Sequence, residues 1–180
     1  MNSGGDAGRV RLSWGLVAGL AYLHEYQIAH RDIKPDNLVC DDDLNLKIID
    51  FDIAMKVEDE NTKIEEYWGT EGWTAPEIGK EGGPTPMYSP IKADRWSCGR
   101  VILCHIMVVE VRAGIGKRLL TFANQLISKD PQQRPSLLGW RELFPQPLTF
   151  VVDQDPQVAG ESMEPDTKRR KLEPEFVQSS

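Results

Sequence analysis

Residues 93–111 are apolar on nearly every side, and a helix without a polar face must be enclosed by the rest of its own fold. The chain therefore has to supply several elements that pack around one central helix. The run 101–109 inside it is interrupted by His105 and is too short to span a bilayer. Helical spacing of Trp14, Leu16, Val17, Leu20, Ala21, Leu23 and His24 predicts one neighbour over 13–26. Gly15 and Gly19 lower its intrinsic helicity, or else let another element approach closely. Leu119, Leu120, Phe122, Ala123, Leu126 and Ile127 predict a second neighbour over 117–127. A turn with prolines on either side of Gln132–Arg134 follows, and Ser136 is placed to cap a last helix reaching about 143.

Between these helices the pattern changes. Two short β-like runs, 37–40 and 44–49, flank Asp41, Asp42 and Asp43, which predicts a small hairpin. Residues 52–72 are polar with little periodicity and read as a long loop, the kind that in a compact domain is usually functional or disordered. With 180 residues, of which 40% are hydrophobic and 27% charged, the chain is long enough for one domain with a sizeable core. The organisation expected is a flexible leader over 1–12, a domain over 13–145 and a disordered polar tail over 146–180, rich in Pro, Gln, Asp, Glu and Ser. Within the tail, Leu148, Phe150, Val151 and Val152 are candidates to dock back on the domain.

The net charge of -7 argues against a general nucleic-acid or membrane-surface binder, since both want a basic face. The N-terminus has no apolar core of a signal peptide. Cys40, Cys98 and Cys104 form no CxxC pair, which reads as reduced thiols in a cytoplasmic or nuclear protein. Cys98 and Cys104 fall in the apolar run and are expected to be buried and inert. Lys168, Arg169, Arg170 and Lys171 resemble a short nuclear localisation signal, or are a solvated charge cluster.

Four strings stand in order along the domain: His30-Arg31-Asp32-Ile33-Lys34-Pro35-Asp36-Asn37-Leu38, then Asp50-Phe51-Asp52, then 69–77 ending Ala75-Pro76-Glu77, then Asp94-Arg95-Trp96-Ser97-Cys98-Gly99. Each alone has a plain reading as a polar turn, an acidic strand end, an exposed loop or a helix N-cap by Asp94. Together they resemble the catalytic loop, the metal-binding triplet, the activation-segment end and the central helix start of eukaryotic-type protein kinases, over about 13–143. The fold class this implies is mainly α with a small β-hairpin region, the C-terminal lobe of a protein kinase.

The resemblance assigns roles. Asp32 would accept the proton of the attacking hydroxyl, and Lys34 would offset charge in the transition state. A lysine at this position goes with Ser/Thr rather than Tyr substrates. Asn37 and Asp50 would hold Mg2+, and with Leu38 would line the ATP site. His30, Arg31, Phe51, Thr70, Glu77, Asp94 and Arg134 would be structural. In particular, Thr70 would bond Asp32 and Lys34, Glu77 would pair with Arg134, and Asp94 would hold the catalytic-loop backbone. Arg31 resembles the arginine that receives a phosphate from the activation loop, where Thr62 and Tyr67 are candidate acceptors. Asp52 stands where the family has glycine, which puts the mobility of that turn in question.

Only 29 residues precede His30, so a glycine-rich phosphate loop and the lysine and glutamate of an N-terminal lobe are expected to be absent. The function expected is ATP- and Mg2+-dependent phosphorylation of protein Ser/Thr, incomplete in this chain. The alternative is an inactive kinase-like module that binds a regulatory protein. A protein substrate or regulatory protein is the expected partner, with neither nucleic acid nor membrane.

Overall fold

The computed structural model describes residues 3–106, 114–143 and 170–171. Helix α1 (Ser3–Glu25) takes in residues 3–12 of the expected flexible leader, where Val10 and Leu12 add further apolar contacts to the same core. Helix α2 (Pro90–Val101) is the enclosed helix, with ten of its twelve residues buried. Its start is fixed by Ser89, whose Oγ accepts from the Lys92 N–H at 3.2 Å, and by Pro90 in the first turn. Asp94 lies within the helix, so the cap belongs to Ser89. Helix α3 (Ile115–Leu126) crosses α2, and a short α4 (Trp140–Leu143) closes the described helical part. Ser136 does not begin α4: its Oγ accepts from the Leu138 N–H in a preceding turn.

The core lies where α1, α2 and α3 meet. Trp14, Leu16, Val17 and Leu20 face Val101, Ile102, Leu119, Phe122 and Leu126, and the Trp14 and Trp140 rings tilt together at 5.0 Å between centroids. Glycine permits the two tightest crossings. A Cβ on Gly99 would sit 2.7 Å from Leu126 Cβ and 2.8 Å from the Ala123 carbonyl oxygen, so α2 meets α3 backbone to backbone. A Cβ on Gly15 would sit 2.8 Å from Leu46 Cβ, which places the hairpin directly on α1.

The hairpin pairs β2 (Leu38–Cys40) with β3 (Leu46–Ile48), antiparallel, Leu38 opposite Ile48. Its turn is organised by Asp41, whose Oδ1 accepts from the Asp43 and Asn45 N–H groups and whose Oδ2 accepts from the Asn45 side-chain amide. The other edge of β2 carries β5 (Arg170–Lys171), so this part of the basic cluster pairs with Val39 and Cys40. The rest of the tail lies outside the described residues. Inside the expected loop, β4 (Met55–Lys56) pairs with β1 (Ile28–Ala29). Two-residue strands are too short to show a period, which is why the sequence pattern missed them.

Cys98 is buried, and burial pushes its thiol pKa well up. Cys104, expected to be buried, is exposed. Cys104 lies where the winding widens to a π-helix, over Ile102–Ile106. Among the described residues no helix is long and apolar enough to cross a membrane.

The crossing at Gly99 gives a test. Gly99→Ala is expected to lower stability by about 1–3 kcal/mol in urea unfolding, because the methyl meets backbone that cannot step aside. Gly139→Ala, where a Cβ meets nothing within 4 Å, should change it by less than about 0.5 kcal/mol.

Candidate active site

The site is built on the loop between β1 and β2, and that loop is held from below by one buried carboxylate. Asp94 Oδ2 accepts from the His30 N–H at 2.7 Å, Oδ1 accepts from the Arg31 N–H at 2.8 Å, and His24 Nε2 lies 3.3 Å from Oδ2. The His30 side chain fixes the same loop to the strand beyond: its Nε2 donates to the Ile49 carbonyl at 3.0 Å, leaving Nδ1 to accept from the Asp32 N–H at 3.3 Å. Arg31 then takes φ 71°, a costly backbone for a bulky residue that these bonds impose.

This fixes the direction of Asp32. Its Oδ2 accepts from Lys34 Nζ at 2.7 Å, its Oδ1 accepts from Thr70 Oγ1 at 2.7 Å, and Lys34 Nζ also donates to Thr70 Oγ1 at 2.8 Å. Asn37 Nδ2 donates to the Asp32 carbonyl at 2.8 Å and to Oδ2 at 3.1 Å. Asp32, Lys34, Asn37 and Thr70 thus form one cluster. Side-chain exposures of 13% for Asp32 and 18% for Lys34 keep the pair largely out of bulk water, where charge interactions are stronger.

Asp50 follows the β3 strand with φ 66°, a left-handed conformation that aspartate tolerates better than most residues. Its side chain is exposed. Phe51 sets its ring edge-on to His30 at 5.0 Å and stays 46% exposed. Asp52 keeps a negative φ, so this arrangement of the turn requires no glycine there. Leu38 is fully buried in β2, one residue beyond Asn37.

Among the described residues no group of three or more His, Cys, Asp or Glu side chains gathers as a metal site. The donors on offer are the Asp50 carboxylate and the Asn37 amide oxygen, since the Asn37 nitrogen is turned to Asp32. Two hard oxygen donors suit Mg2+, which keeps waters and takes phosphate oxygens rather than an all-protein cage.

The segment after β4 is fastened at two points, one to the helical body and one to the site loop. Glu77 and Arg134 form a two-pronged pair, with Nη2 to Oε2 at 2.7 Å, and Arg134 Nη1 also donates to the Lys92 carbonyl at 2.8 Å. Arg31 donates through Nε to the Ile53 carbonyl at 2.6 Å and through Nη1 to Glu66 Oε2 at 3.2 Å, and it stacks over Trp68 at 5.4 Å. The Trp68 indole N–H donates to the same Glu66 oxygen at 2.9 Å. These bonds, the indole first and then Arg31, hold the Glu66 carboxyl below its usual pKa.

Thr62 and Tyr67, singled out in the sequence, are not the residues bonded to Arg31. Thr62 closes a turn on Asp59, and Tyr67 packs against the cluster of Ala75, Ile78 and Tyr88. Sequence reasoning missed Glu66 and Trp68. The signal available was an acid and an indole three and one positions before Gly69.

A family profile described as "Protein kinase domain" matches residues 7–114. The serine/threonine-protein kinase GRIK1 of Arabidopsis thaliana is 33% identical over 142 residues, covering 68% of this chain and 35% of that protein. CBL-interacting serine/threonine-protein kinase 5 of the same plant is 30% identical over 179 residues, 83% of this chain and 39% of its own length. The SNF1-like protein kinase ssp2 of Schizosaccharomyces pombe is 37% identical over 106 residues, 58% of this chain and 17% of that protein. The chain thus spans well under half the length of these relatives.

The Glu77–Arg134 pair is expected to be structural. Arg134→Ala should lower stability by about 3 kcal/mol, because the Glu77 carboxylate loses its counter-charge in a site where its side chain is only 16% exposed. Thermal and urea unfolding check this, and a variant as stable as the parent would assign the pair no structural weight.

Proposed function

Because the chain belongs to the protein kinase family, we propose that it serves transfer of the γ-phosphoryl group of ATP, with Mg2+, to a serine or threonine hydroxyl of a protein. The observation that carries this reading is the Asp32 carboxylate, held between Lys34 and Thr70 at 2.7 Å from each. A carboxylate so oriented can accept a hydrogen bond, and then the proton, from an incoming hydroxyl. Lys34 carries a positive charge beside it, where charge builds as the phosphoryl group moves. Asp50 and Asn37 are the residues that would hold Mg2+, whose part is to offset charge on the phosphate oxygens. Leu38, expected from the sequence to line the nucleotide site, is packed into the core instead and presents no surface to a base.

Two relatives are named as CBL-interacting kinases, which supports a regulatory protein as a further partner. A second reading is a kinase-like module that binds a protein without turnover. The exposed Phe51 ring beside His30 favours it, as an apolar contact open to a partner.

Calorimetry with ATP, with and without Mg2+, tests the proposal. Mg2+-dependent binding is expected, weakened on the order of tenfold or more by Asp50→Asn. Asp32→Asn should leave binding within a few-fold and reduce phosphotransfer by about a hundredfold or more. No binding up to millimolar ATP would reject catalysis by this chain and leave the binding module.

A further inference from the structure

Arg31 is a cation with a side chain only 9% exposed, and a shielded guanidinium requires an anion. Its carboxylate partner is Glu66, which belongs to the same chain. Two of its three nitrogens and one face are engaged: Nε on the Ile53 carbonyl, Nη1 on Met55 Sδ and Glu66 Oε2, and the face on the Trp68 ring. The backbone of Glu66 is held as well, since Tyr88 Oη donates to its carbonyl at 2.9 Å. Ile64 and Tyr88 exchange two N–H to carbonyl bonds at 3.0 Å just before it.

The same short segment then runs into the catalytic cluster. Gly69 takes φ 116°, and a Cβ there would lie 3.0 Å from the Arg31 carbonyl oxygen and 2.6 Å from Thr74 Cγ2. Thr70, next in line, donates to Asp32. Arg31 and Asp32 are adjacent on one loop, and Glu66 and Thr70 lie on the one segment that closes against it. Two cross-links, Glu66 to Arg31 and Thr70 to Asp32, therefore brace each other.

We propose that Glu66 is the resident anion of Arg31 and a positioning residue for the proposed phosphotransfer. With Trp68 it locks residues 64–70 onto the His30–Asn37 loop in the unmodified chain. Thr70 then meets Asp32 without a phosphoryl group on Thr62 or Tyr67. The Thr62 backbone and hydroxyl are already turned into bonds with Asp59, away from any part in this lock. This rests on the kinase reading for its catalytic consequence, but the lock itself is independent of turnover.

Hydrogen exchange followed by mass spectrometry on the full chain, shown by intact mass to carry no phosphate and without nucleotide, separates the two. The amides of Ile64, Trp73 and Thr74, hydrogen-bonded to the Tyr88 and Thr70 carbonyls at the two ends of the segment, are expected to be protected in the parent protein. They should exchange on the order of tenfold faster in Glu66→Ala, while those of α2 and α3 stay unchanged as the folding control. Inorganic phosphate at tens of millimolar should restore protection in Glu66→Ala, by filling the vacated place on Arg31, and do nothing to the parent. Glu66→Gln, which keeps the shape without the charge, should behave as Glu66→Ala does and serves alone if the alanine variant misfolds. The proposal is overturned if the parent segment exchanges freely until Thr62 or Tyr67 is phosphorylated. Parent-like protection in either variant overturns it too, as does loss of protection that phosphate fails to reverse. A protected, phosphate-independent segment in a chain that binds no ATP would support the lock and reject the kinase reading.

Discussion

The arrangement depends on one buried carboxylate. Asp94 sits in the enclosed helix at 1% exposure and spends both oxygens on the backbone N–H groups of His30 and Arg31. Charge-assisted bonds of this kind are stronger than neutral ones, and breaking them would leave a charge stranded in the core. A loop without regular structure is thereby given the rigidity of the helix behind it. The direction of Asp32, the left-handed backbone at Arg31 and the reach of Lys34 all follow from that anchorage.

The helical part of this design was legible because enclosed and amphipathic helices leave a period in the sequence. Trp14, Leu16, Val17 and Leu20 on α1, and Leu119, Phe122 and Leu126 on α3, stand at helical spacing and meet in the core. The β2–β3 hairpin was legible from its β-prone runs and acidic turn. The strands β1 and β4 were not, since two residues carry no alternation. Cys104 is exposed on a turn of π winding, and neither its exposure nor that winding is encoded in composition.

The site divides along a similar line. Asp32, Lys34 and Asn37 lie within one short string, and their cluster is formed by a single tight loop. Thr70 comes to the same cluster from much further along the chain, and its place could be read only through the likeness of the strings to a family. Glu66 and Trp68 had no such string. Their meeting with Arg31 arises from the path of the segment between β4 and α2, set by contacts such as Ile64 with Tyr88 and Ser97 Oγ with the Trp73 carbonyl at 2.7 Å. Pairings of that kind are a product of tertiary packing, and a chain read residue by residue does not display them.

The buried thiol of Cys98 has a consequence of its own. It sits one residue before Gly99, at the closest approach of α2 and α3, with its sulfur wholly shielded and its ionisation suppressed. Alkylating reagents attack the thiolate, so Cys98 is silent while the helices are together, whereas Cys104 at the surface is open to them. The protein thus carries a built-in clock for its own breathing. The rate at which Cys98 is labelled measures how often the centre of the molecule opens, on a scale set by Cys104 in the same chain.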